Sequence, residues 1–181
     1  MKYPYLVASL PTLSLDTMPT IQYATFLRWC DGVLDEQDLA ELRHLLEGCA
    51  AACVSPFAAA WFGFEMSFRR NIARVRAGRL GLNPKAVVPE ADEGDSRIRQ
   101  GVLDAFAKSN PREREWIIDN VRWTVLEELR RTEPYGLSEV LAFALQLQLA
   151  HRWSRFSPQK GSEALANHEA DLVPAEYAET L

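Results

Sequence analysis

Between Ser55 and Gly81 a start signal, an apolar seam and a cationic back are written into one stretch of chain. Ser55-Pro56 reads as a helix start: the serine oxygen can accept orphan N–H bonds, and proline is pre-set for the first helical position. Phe57, Trp61, Phe64, Phe68, Ile72 and Val75 then recur at steps of three and four. At about 100° per residue they fall within roughly 80° of one another, so they form a seam that must be buried. Arg69, Arg70, Arg74, Arg76 and Arg79 lie mostly off it, and Gly78 and Gly81 stop the helix. A rod of this kind packs on one side and can dock on the other. Little else in the chain competes with it as a constraint on the fold.

The rest of the pattern is helical too. Pro4, Pro11 and Pro19 rule out a long helix at the start. Tyr3, Tyr5, Val7 and Ser9 alternate with other residues, so the first segment is expected as an extended strap on a helical body. Thr20 can cap a helix from Ile21 to Cys30, with Asp31-Gly32 as the turn after it. Asp35 opens a helix whose apolar face is Leu39, Leu42, Leu45, Leu46 and Cys49, and Ala50–Ala52 let it run close to the next. Ser96 or Asp95 caps a helix through Ile98, Val102, Leu103 and Phe106, and Asn110-Pro111 starts another with Glu113 at its third position. Ser138 caps a last long helix, apolar nearly all round from Val140 to Leu149, which belongs at the centre of the core. A short helix is expected from Ser157-Pro158.

These signals predict an all-α bundle of about six to seven helices in one domain. Its N-terminal half is 1–80. Residues 81–95 form a mobile acidic loop, with Pro84, Pro89, Glu90, Asp92, Glu93 and Asp95. The C-terminal half is 96–170 and the tail 171–181. From Gly161 onward there are five acidic side chains and no lysine or arginine, so the end reads as an acidic tail.

Charge and motif inventory then narrow the function. A net charge of −5 argues against a dedicated nucleic-acid binder. No apolar run approaches the ~18–20 residues of a membrane span. Three cysteines, Cys30, Cys49 and Cys53, are too few for a disulfide framework and suit a reducing cytoplasm. Cys49 and Cys53 are placed on one helix face, but His44 points about 140° away from Cys49, so no metal is expected. No nucleophile elbow, phosphate loop or dinucleotide fingerprint is present, so neither a catalytic residue nor a cofactor is expected. Glu65 and Glu115 are the acids nearest large apolar groups, and Arg69 stands at i+4 from Glu65.

Three stretches together resemble a known family. They are Tyr3-Pro-Tyr-Leu-Val-Ala-Ser-Leu-Pro-Thr-Leu-Ser-Leu-Asp16, the run Asn110-Pro-Arg-Glu-Arg-Glu115 leading to Val121-Arg122-Trp123, and Leu141 through His151-Arg152-Trp153-Ser-Arg-Phe156 to Gly161. The family is a set of uncharacterised bacterial proteins encoded within V/A-type ATPase operons. The resemblance implies a non-enzymatic, cytoplasmic accessory or coupling subunit, peripheral to the inner membrane through its complex. It would replace the helical socket that joins the central stalk to the membrane ring, with ATPase subunits as partners. The shared motif positions are Asn71, Arg76, Glu115, Arg122, Trp123, Arg152, Trp153 and Phe156. Arg122 and Arg152 are expected to pair with Glu115 or Glu127 while the tryptophans fill the core. Two other readings stand beside this one. The first is a regulatory or adaptor module that binds a protein through the arginine face. The second is a small helical enzyme using Glu65 or Glu115.

Overall fold

The computed structural model describes residues 2–88 and 96–155. Among them the fold is all-α. In chain order the helices are α1 (Pro4–Ser9), α2 (Tyr23–Val33), α3 (Glu36–Glu47), α4 (Pro56–Arg79), α5 (Pro84–Val87), α6 (Ser96–Ala107), α7 (Pro111–Arg130) and α8 (Leu137–Ser154). That is eight helices rather than six or seven, and α1 and α5 are the shortest of them. The expected Ser157-Pro158 helix, the cap at Asp95, residues 89–95 of the acidic loop and the whole tail lie outside the described residues.

Helix α8 is the hub. Every residue from Val140 to Leu147 is buried, and the helix packs on α7, α3 and α2. Helix α4 packs on α6 and α7, and α6 on α7. One hydrophobic cluster runs from Tyr3 to Leu147, so the two halves of the chain share a single core. Phe26, Phe68 and Phe143 are its largest fully buried side chains, and Phe26 meets Phe143 with ring centroids 5.1 Å apart. The α4 seam behaves as its periodicity requires. Phe57, Trp61, Phe64, Phe68 and Ile72 are buried, and Phe64 stacks on Phe68 at 5.3 Å.

Several local expectations give way to tertiary forces. Residues Pro4–Ser9 are a helix and not an extended strap, with proline at its first turn; Leu6 and Val7 face the core and Tyr5 is exposed. The segment is held from outside: the Lys2 and Tyr3 amides donate to the Tyr135 carbonyl at 3.1 and 2.9 Å. Helix α2 starts at Tyr23 after Gln22, not at Ile21 after Thr20, and runs through Asp31-Gly32 to Val33. Its extra turn carries the chain to Leu34, which is buried. The α3 helix stops at Glu47, because Gly48 adopts a left-handed φ of 77°. Cys49 is therefore exposed in the connection, Ala50–Ala52 form a separate 3₁₀ turn, and Cys49 and Cys53 share no helix face. Gly78 lies inside α4; the left-handed residue that ends the motif is Gly81, with φ 72°. Gly136, not Ser138, caps α8.

The caps at Asp35, Ser55 and Asn110 form as their sequences require, accepting from the Asp38, Ala58 and Arg112 amides. Ser55 has further support. Both carboxylate oxygens of Glu41 accept backbone amides, from Val54 and Ser55, each at 2.9 Å. Gly101 answers a different need. A Cβ there would stand 2.5 Å from Val121 Cγ2, so any larger residue would force Val121 or the α6–α7 contact to shift.

Candidate functional site

Where α4, α7 and α8 meet, the structure assembles a chain of charges. Glu65 on α4, and Glu115, Asp119 and Arg122 on α7, come together with Arg152 and Trp153 on α8. The spacing on α7 makes this possible, because positions i, i+4 and i+7 share one face. Arg122 Nε donates to Glu65 Oε1 at 2.6 Å, and its Nη1 donates to Asp119 Oδ1 at 2.9 Å. Asp119 Oδ2 accepts the Trp153 indole N–H at 2.8 Å and stands 3.4 Å from Arg152 Nη2. Arg152 also donates to Glu115 at 2.9 Å, and Arg69 to Glu65 at 3.1 Å. The Arg122 guanidinium lies over the Phe68 ring, 5.2 Å from its centroid.

Three carboxylates meet three guanidiniums, so the group is neutral as a whole. Its middle is dry: the Asp119 side chain is 0% exposed, Glu65 10% and Arg122 17%. Burial pushes the Arg122 pKa down, but the bonds and charges of Glu65 and Asp119 outweigh it and leave the group raised, hence firmly cationic. A carboxylate wholly engaged by arginine is poorly placed to act as an acid or base. The arrangement does what buried ion pairs do well: it sets the register of three helices.

Sequence reasoning placed Arg152 with Glu115, but paired Arg122 with the wrong acids. Glu127 instead accepts from the Gln146 amide of α8 at 2.5 Å. Asp119 was missed altogether. Its signal was present, as a carboxylate three residues before Arg122 and four after Glu115, on the face that also carries Ile118 and Leu126. Trp61 and Trp153 are buried as expected, whereas Trp123 is half-buried and Trp116 is 40% exposed. The Asn71 amide is turned onto its own helix, donating to the Ser67 carbonyl at 3.0 Å. Phe156 lies outside the described residues.

The arginines of α4 divide into different environments. Arg69 belongs to the neutral network. Arg70 is exposed beside a groove of about 870 Å³ between α3, α4 and α8, whose apolar wall includes Trp61, Phe62, Met66 and Leu149. Arg74 is half-buried, with an Nε that has no hydrogen-bond partner. Arg76 and Arg79 reach over the Phe106 ring of α6, with guanidinium carbons 5.8 and 5.1 Å from its centroid. Arg114 of α7 joins them at 5.1 Å. Among the described residues no carboxylate pairs with Arg76, Arg79 or Arg114. Between α4 and α7 a second groove, of about 450 Å³, runs from Arg76 past Ile72, Ala77 and Ile118 to Arg122. No group of histidine, cysteine and acidic side chains able to hold a metal occurs among the described residues, and no helix there is long and apolar enough to cross a membrane.

Residues 97–168, less than half of the chain, match a family described as a protein of unknown function (DUF2764). The matched stretch contains Glu115, Asp119, Arg122, Arg152 and Trp153, and so covers the α7 and α8 parts of the neutral network. Among curated proteins and solved structures, nothing matches the chain.

Proposed function

We propose that this chain is a non-enzymatic accessory or coupling subunit of a bacterial V/A-type ATPase, serving as the helical socket between central stalk and membrane ring. The ATPase assignment rests on the sequence resemblance. The observation that supports a docking role is the division of charge along α4. Glu65 is spent within the molecule, while Arg70 and Arg76 stand exposed beside grooves with apolar walls and Arg79 is exposed one turn further along α4. Unmatched cations around a part-apolar groove suit an acidic protein surface, because complementary charge sets encounter rate and register. The same division speaks against a small helical enzyme using Glu65 or Glu115. Glu65 carries two arginines and Glu115 one.

Capture of the tagged chain from its own host tests the proposal. Stalk or ring subunits of the ATPase should co-purify, and should elute as salt is raised. A double reversal, Arg70→Glu with Arg79→Glu, should reduce capture while leaving the melting temperature nearly unchanged, since exposed charges contribute only ~0–1 kcal/mol per pair. An eluate without ATPase subunits sinks the assignment. A different partner lost on the same reversal would favour the adaptor reading.

A further inference from the structure

Arg76, Arg79 and Arg114 come from two helices and converge on one phenylalanine ring of a third. Such convergence is costly unless something relieves it. Like charges this near a common centre repel one another within the screening length of salt water, and the ring's quadrupole offers only a weak compensation. Among the described residues the nearby acids do not supply the missing charge. Glu115, in the neighbouring groove, is held by Arg152, and Asp104 on α6 accepts from Gln100.

The cluster is also built. Phe106, its platform, is 4% exposed and anchored in the core. Arg114 is fixed by Nη2 donating to the Lys108 carbonyl at 3.1 Å, yet its Nε is buried without any hydrogen-bond partner.

We propose that Arg76, Arg79 and Arg114 form a binding site for a multiply charged oxyanion of the phosphate class. A single carboxylate presents two oxygens in one plane and is satisfied by one guanidinium fork. Three guanidiniums gathered on one ring from separate positions match an acceptor with several oxygens and more than one charge, such as a phosphoryl or pyrophosphoryl group. Phe106 is too buried to stack on a nucleobase, so recognition is of the anion itself. This site is independent of the ATPase assignment, because its ligand is tested on the purified chain alone.

The test is calorimetric titration of the full chain with sodium pyrophosphate, with inorganic phosphate and with succinate, at matched ionic strength. Pyrophosphate should bind saturably at one site, phosphate more weakly, and succinate far more weakly than either. Arg79→Gln should weaken pyrophosphate about tenfold or more, as loss of one charge-assisted contact implies. Arg114→Gln should do the same. Arg70→Gln, on the same helix but outside the cluster, should leave the affinity unchanged. Arg79 is exposed, so its variant tests the site even if Arg114→Gln fails to fold. No saturable binding, equal loss in Arg70→Gln, or succinate binding as tightly as pyrophosphate would each overturn the proposal.

Discussion

Helices α4 and α7 carry two arginine clusters built on opposite principles. Around Arg122 every cation has its anion, and the middle of the group is dry. Around Phe106 three guanidiniums share a ring and lack carboxylate partners among the described residues. Both draw arginines from α4 and α7, and the matched cluster adds Arg152 from α8. What separates them is the acid content of the facing element. Helix α7 brings Glu115 and Asp119 to one end of the contact, whereas α6 brings only Phe106 to the other. A matched cluster holds helices together; an unmatched one on a rigid platform is available for something else.

The largest expected effect tests whether the matched cluster is structural. Asp119→Ala removes one of the two carboxylates on Arg122 and the acceptor of the Trp153 indole N–H, and should cost about 3–5 kcal/mol, the range for breaking a buried pair. Arg79→Ala, in the unmatched cluster, should cost under about 1 kcal/mol. Urea unfolding of both variants makes the comparison, and equal losses would erase the distinction.

Next in size is Gly101→Ala, which forces a methyl against Val121 and should cost about 1–3 kcal/mol. Helix α6 carries Phe106 and takes no part in the neutral network. The Trp153 indole N–H resonance should therefore stay put in Gly101→Ala and move in Asp119→Ala. A large shift of that resonance in the glycine variant would mean that the two clusters are mechanically one.

The smallest effect concerns a third way of matching a buried charge, by backbone amides. Burial pushes the Glu41 carboxyl up, but the Ser55 and Val54 bonds outweigh it and hold its pKa below the ordinary 4.5. A lowered folded-state pKa contributes stability that is present above the unfolded value and is lost as pH falls through the folded one. Glu41→Gln should thus be about 1 kcal/mol less stable than wild type near neutrality, the usual scale of a lost helix-start contact. That gap should narrow as the pH drops below 4.5. A gap that does not depend on pH would show that the carboxylate charge is irrelevant to the α4 start.

Much of this molecule was legible in the chain. The caps at Asp35, Ser55 and Asn110, the α4 seam and the apolar α8 follow from local chemistry, because capping and helical periodicity depend on residues within a turn or two. The Glu65–Arg69 pair at i+4 is equally local. Other features depended on partners far along the chain. The helix at Pro4–Ser9 is pinned by the Tyr135 carbonyl, and Tyr3 donates to Asp38 while Lys2 bridges Asp35 and Asp38. Trp123 and Trp153 read alike as core residues, and only the packing of α8 against α7 decided which indole is buried.

The sequence by itself determined an all-α chain and the faces its long helices must bury. It also supplied the cations of α4, but not their fates. Arg69 and Arg76 stand about 20° apart on a helical wheel, with Arg79 about 60° further round. Their difference arises because Glu65 also meets Arg122 across 57 residues, while Phe106 arrives from a separate helix. Whether a charge is matched depends on what crosses the helix at that height, and that is settled by the packing of helices, beyond the reach of any local pattern.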